Sequence, residues 1–280
     1  SFKKMALGAI TLGLIGTGFF YFKQKNFIEL SSLSGAPVNR TLAGEVKKVC
    51  SITINSNDEI KSFQKKLSSD PRFAFQELVT TDKDLFNQAC NSNVQCDVLI
   101  VSGHFAGYFF GSTMQSLTLP ELETKSCSRS CRGILEKPKE IYLFGCNSLA
   151  SKGDSVRTPQ EYFNVLREDG FSRHSAERLV EARYGPSGEQ TLNRMKRAFI
   201  GVPAIYGFCD KAPLGQESGP IISSFLTSKA ESYYSHLENL ETVQKTLQPY
   251  TAETEIKIKN ADLANKFKSV GRCFKQTHGV

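Results

Sequence analysis

Two residues suited to nucleophilic and general-base chemistry stand at the ends of two similar apolar runs. Cys146 closes the run in EIYLFGCNS (140–148), and His104 closes the run in CDVLIVSGHFAG (96–107). A thiol is a nucleophile as its thiolate. With an ordinary pKa of about 8.5 it needs a nearby imidazole or a helix N-terminus to ionise at neutral pH. A histidine directly after Gly103 and close to Gly107 can approach a substrate carbonyl closely. The turn through Asn147 and Ser148 would aim backbone N–H groups at an oxyanion. Taken singly, each residue has a plainer reading, the cysteine as core and the histidine as a polar turn residue. The other three histidines, His174, His236 and His278, fall in helical or terminal segments. The joint occurrence therefore points to a Cys146/His104 dyad.

A dyad requires elements that bring the two residues together. Ile141–Phe144 and Val98–Val101 are short, continuously apolar and bounded by polar residues or glycine, which predicts strands buried on both faces of a parallel sheet. Around them the chain alternates. A strand is expected over 46–54, a helix capped within 56–58 and running to Leu67, a strand over 73–79, and a helix over 82–89. After the histidine strand come a glycine- and aromatic-rich loop (105–112) and a helix over 119–125, then the cysteine strand. Helices follow over 159–168, with Thr158 as N-cap and Pro159 at the first position, and over 172–183 and 188–197. A strand over 199–208 and a long helix over 219–247 complete the pattern, and the remaining residues could add a helix and a strand. This rhythm predicts an α/β fold with a mostly parallel central sheet and helices on both faces. Sites in such sheets form beyond the carboxyl ends of the strands, where Cys146 and His104 would meet.

The formal charge of +7 is concentrated at the ends. Residues 1–48 carry seven Lys or Arg against two acids, and residues 246–280 carry six against three. The body between is nearly neutral, so a nucleic-acid partner is not expected, because a basic stripe would have to lie on the folded domain. Met5–Phe22 is an uncharged apolar run of 18 residues flanked by Lys3, Lys4, Lys23 and Lys25. As a helix it would extend about 27 Å, enough for a bilayer core. Phe19–Phe22 and the lysines behind them make a poor cleavage site. Residues 1–25 therefore read as an uncleaved transmembrane anchor, with a signal peptide as the alternative. Residues 26–45 form a linker, 46–247 the main domain and 248–280 a C-terminal extension. With Cys146 kept free, seven of the eight cysteines remain, so at least one more is unpaired within the chain. Cys127 and Cys131 are near enough to bridge across a turn, and burial as small apolar residues is the competing reading. No metal or organic cofactor is expected, and an extracytoplasmic body suits the cysteine count.

An apolar strand ending in SGH and a later one ending in GC resemble the paired signature of the caspase-like superfamily of cysteine peptidases, which includes caspases, legumains, gingipains, clostripain, separase and the CHAT-type proteases. The resemblance covers about residues 46–245, including GVPAIYGF (201–208) and the helix after it. It implies a caspase-like sandwich that cleaves a protein or peptide substrate. Cys146 would be the nucleophile and His104 would protonate the leaving amine. The oxyanion would be held by the N–H of Cys146 and that of Phe105. The chain departs from the pattern at Phe105, where the family generally has glycine, and at Gly145, where many relatives have Ala or Ser. Asp58 and Asp210 stand where a carboxylate could select a basic side chain at the cut, or simply cap and solvate. A non-catalytic caspase-like module that binds a partner through the same crevice is the alternative function. No G-x-S-x-G elbow supports a serine hydrolase.

Overall fold

The computed structural model describes residues 45–78, 85–112, 115–151, 157–185, 191–246 and 261–280. The apolar run Met5–Phe22 lies outside them. No described helix is long and apolar enough to cross a membrane.

The chain builds an α/β fold on a six-stranded sheet. In chain order its strands are β1 (Lys47–Thr53), β2 (Phe73–Glu77), β3 (Val98–Ser102), β7 (Glu140–Phe144), β8 (Ala204–Phe208) and β9 (Phe274–Thr277). They lie in the spatial order β2-β1-β3-β7-β8-β9, with the first five parallel and β9 antiparallel to β8. The continuously apolar runs have a direct cause: every residue of β3, β7 and β8 is buried. Successive side chains alternate between the two faces. Leu99, Val101, Ile141, Leu143 and Ile205 enter one core, together with residues of α3 (Leu119–Ser126), α4 (Arg132–Leu135) and α7 (Thr191–Ala198). Val98, Ile100, Tyr142, Phe144 and Tyr206 enter the other, with α1 (Asp58–Leu67), α8 (Gly215–Thr246) and α9 (Ala261–Ser269). The residues after 260 thus supply both a covering helix and a strand of the central sheet.

Several segments differ from the sequence reading, each for a local reason. The stretch expected as a loop over 105–112 forms a small antiparallel sheet with the residues beside it: β4 (His104–Phe105), β5 (Tyr108–Phe110) and β6 (Ser116–Thr118). Gly107 turns the β4–β5 hairpin at φ +82°. The strand expected from residue 199 begins at Ala204. Phe199 and Val202 are apolar because the C-terminal end of α7 buries them, and Gly201 ends that turn at φ +71°. Glu140 does not bound β7 from outside. It is fully buried and accepts hydrogen bonds from Tyr142 Oη (2.8 Å), Tyr206 Oη (3.2 Å) and Tyr233 Oη (2.6 Å), and it pairs with His236 Nε2 (2.7 Å). Burial pushes its carboxyl up, but the His236 charge and these hydrogen bonds outweigh burial and hold it below the usual range.

Cysteine pairing is long-range. Disulfides join Cys50–Cys96, Cys90–Cys131 and Cys209–Cys273. The Cys127–Cys131 bridge that spacing allowed is not formed, and Cys127 is neither bridged nor buried but a free, exposed thiol. Cys131 is instead drawn to Cys90 of α2 (Leu85–Asn91), in the core beneath β1 and β3.

Candidate functional site

Register brings the two reactive residues to the same end of the sheet. The β3–β7 ladder ends with Ser102 opposite Phe144. Two residues beyond that pair on each chain come His104, the first residue of β4, and Cys146, so both leave the same end of the sheet from adjacent strands. Gly103 N–H donates to Phe144 O at 3.2 Å, so the chains are still paired where they leave the sheet. Gly145 allows this approach: a Cβ there would lie 2.7 Å from Phe105 Cβ and 3.0 Å from Gly103 O.

Both residues line a cavity of about 350 Å³ at the carboxyl ends of β1, β3, β7 and β8. Asn55, Ser56 and Glu59 form one side, and Lys211–Gly215 form another. The third wall comes from α5 (Pro159–Glu168), which packs against α6 (Arg173–Tyr184) and the small sheet through Tyr162, Leu166, Phe171 and Phe110. A capping box on Thr158 fixes the start of α5 and with it Arg157, which joins the lining. Among the described residues, no group of three or more His, Cys, Asp or Glu is placed to hold a metal ion.

Cys146 is partly buried, and its sulfur accepts a hydrogen bond from Ala212 N–H at 3.3 Å. Burial pushes the thiol above its ordinary value. The Ala212 N–H and Lys211 oppose that shift, whereas Asp169 and Asp210 add to it. The resting sulfur is therefore a thiol that needs a base. His104 is exposed and has no direct hydrogen bond to it. The imidazole Nε2 accepts from Asn55 Nδ2 at 3.3 Å, and Asn55 Oδ1 is fixed in turn by Ser112 N–H at 3.2 Å. Neutral His104 then carries its proton on Nδ1.

Phe105 occupies its place without strain. Its φ is not left-handed, so glycine's freedom is not needed, and its ring packs on Phe109 at 4.8 Å in the core. Ala106 N–H donates to Tyr108 O, which makes 106/108 a hydrogen-bonded pair of the β4–β5 hairpin. Pairs alternate in an antiparallel ladder, so the Phe105 N–H points away from β5 and to the same side as the Gly103 N–H that meets β7.

The two acids proposed for selectivity are placed differently. Asp58 is outside the cavity lining, where it accepts from Ser56 Oγ at 2.8 Å at the start of α1 and abuts Gly215. Asp210 pairs with Arg157 at 2.6 Å, and its backbone oxygen accepts from Asn147 N–H at 2.8 Å. Asp169, at the C-terminal cap of α5, is an exposed carboxylate that does line the cavity. The N–H groups of Asn147 and Ser148, expected to face an oxyanion, are instead donated to Asp210 O at 2.8 Å and Gly145 O at 3.3 Å, because the turn folds back on the chain. Sequence reasoning missed Asn55, Arg157, Asp169 and the Asn147 side chain. Asn147 had a readable signal, since asparagine directly after a strand-ending glycine and cysteine suits a left-handed turn, and it does sit at φ +59°. The chain matches no protein-family model, no curated protein and no solved structure, so its family is not identified by likeness to known proteins.

Proposed function

We propose that this protein is a cysteine endopeptidase of the caspase-like kind, with Cys146 as nucleophile and His104 as general acid–base. The observation that carries the reading is the delivery of both side chains, by adjacent parallel strands, into one open cavity. The order of the chain also supports it: a histidine-ended strand, the cysteine-ended strand beside it, then β8 and the long α8.

In this mechanism a peptide enters the cavity with its scissile carbonyl at the Cys146 sulfur. The thiol proton passes to His104 at Nε2, its unprotonated nitrogen, which gives up the Asn55 Nδ2 hydrogen bond to receive it, and the sulfur adds to the carbonyl carbon. Catalytic hydrogen bonds commonly tighten only when substrate is bound, which accommodates the absence of a direct contact at rest. The N–H groups of Cys146 and Phe105 hold the oxyanion. Collapse breaks the C–N bond, and His104 returns its proton to the departing amine, leaving a thioester. Water, deprotonated by His104, then cleaves the thioester, releasing the acid and restoring the thiol.

The reading extends to location. Three disulfides suit an oxidising compartment, and the apolar run 5–22 suits a membrane anchor, so the domain would work outside the cytoplasm on a protein or peptide substrate. The lack of a hydrogen bond between His104 and Cys146 at rest favours a second reading, a binding module that uses the cavity without chemistry. A peptide-library digest separates the two. Hydrolysis by the wild type that C146A abolishes supports the peptidase, and equal turnover by C146A overturns it.

A further inference from the structure

We infer that Asn147 is a substrate-binding residue, whose side-chain oxygen accepts a hydrogen bond from an N–H on the acyl part of the substrate held at Cys146. The inference rests on the peptidase reading and adds to it a contact beyond the dyad.

Asn147 lines the cavity and is 8% exposed, yet its Oδ1 is closed off at rest and has no hydrogen-bond partner, so a substrate N–H meets it when the amide turns toward the cavity. A buried acceptor left unpaired costs about 1–3 kcal/mol, and native proteins keep few of them. Asn147 also holds φ +59°, a conformation that glycine adopts without penalty. Glycine would therefore serve the turn better and leave no orphan oxygen. Its backbone N–H is already engaged by Asp210 O, so the turn does not depend on the side chain.

The contrast with Asn93 is instructive. Asn93 is the other non-glycine residue with positive φ among those described, at +51°. It is exposed, follows the end of α2, and donates its N–H to Cys90 O, an ordinary left-handed helix end. Nothing comparable accounts for the Asn147 side chain. It adjoins the nucleophile, and the partner that would satisfy an amide oxygen is an N–H donor. A bound peptide offers two such donors there, its main-chain amide and, in some residues, the side chain preceding the cut.

The test uses the full chain and two kinds of Cys146 label. Iodoacetamide reports the thiol alone, whereas peptidyl acyloxymethyl ketones ending in Ala or in Lys also read peptide contacts. The readout is the ratio of ketone to iodoacetamide rates at Cys146, followed by mass spectrometry. Asn147→Gly keeps the left-handed turn and removes the amide. Its ratio should fall about tenfold or more. Asn147→Asp keeps the turn and an acceptor, and should hold the ratio within about threefold of wild type. Loss with both ketones assigns the donor to the main chain, and loss with the Lys ketone alone assigns it to the side chain. An unchanged ratio in Asn147→Gly, or equal losses in Asn147→Gly and Asn147→Asp, would overturn the acceptor role. A wild-type protein that reacts no faster with either ketone than with iodoacetamide would instead remove the peptidase reading, and this inference with it.

Discussion

Gly145→Ala tests whether close approach of two strand ends positions the site. The new methyl carbon would lie 2.7 Å from Phe105 Cβ, 2.9 Å from Phe109 Cε1 and 3.0 Å from Gly103 O. Non-bonded carbons rest at about 3.5–4.0 Å, so the two phenylalanines or the chain at Gly103 must retreat by about 1 Å. Two effects compete. Gly145 does not have a left-handed φ, so alanine suits its backbone and gains about 0.4–1 kcal/mol by restricting the unfolded chain. Overpacking opposes this with about 1–3 kcal/mol and should win, because Phe105 and Phe109 are buried on the same core as β3 and β7. The net expectation is a loss of about 1–2 kcal/mol in urea unfolding. A misplacement of about 1 Å can lower a reaction rate about 100-fold, so peptidyl-ketone labelling of Cys146 should fall far more than stability does. Wild-type stability would refute the packing argument. Lost stability with an unchanged labelling rate would show that this contact does not set the position of Cys146 against His104.

Three further outcomes are expected. Burial opposes the charge on His236, but Glu140 outweighs it and raises the imidazole, while Glu140 itself is held low. The His236 contribution is complete below its ordinary pKa of about 6.5 and is lost as pH rises through the raised value. The Glu140 contribution is present above the ordinary carboxylate range near 4.3 and is lost as pH falls through its lowered value. The urea midpoint should therefore decline on both sides of that interval, and His236→Gln should remove the alkaline decline; a wild-type midpoint flat up to pH 9 would contradict the pairing. Mass spectrometry without reduction should find the three disulfides and only Cys127 and Cys146 alkylated, and Cys273→Ser should lower stability by about 4 kcal/mol on loop-entropy grounds. If Met5–Phe22 is an anchor, alkaline carbonate should leave the full chain in the membrane pellet, whereas release would remove that part of the proposal.

Much of the sheet was legible because strands buried on both faces leave an unmistakable mark: VLIVS and IYLF admit water on neither side. The βαβ rhythm gave the parallel sheet, whereas the adjacency of β3 and β7, which the dyad required, is set by the strand order, and it brings Cys146 and His104 to one cavity. What escaped notice depends on partners distant in sequence. β4, β5 and β6 have two or three residues each, too few for any period to register. Glu140 looked like a surface boundary because Tyr206, Tyr233 and His236, which satisfy it, lie more than 60 residues away. Spacing suggested Cys127–Cys131, yet which cysteine meets Cys131 is decided by the packing of α2. The odd thiol required by a free Cys146 does exist, and it is Cys127. Asp58 and Asp210 were selected for their positions after strands, but what a carboxylate does there is set by Ser56 and Arg157.

The account stands on a sulfur and an imidazole acting as one unit, and its most direct measurement is the rate of peptidyl-ketone labelling at Cys146 in wild type and His104→Ala. Loss of a positioned general acid–base group should slow labelling by about 100-fold or more while urea unfolding stays unchanged. A His104→Ala protein labelled at the wild-type rate would contradict the dyad and leave the cavity as a binding site alone.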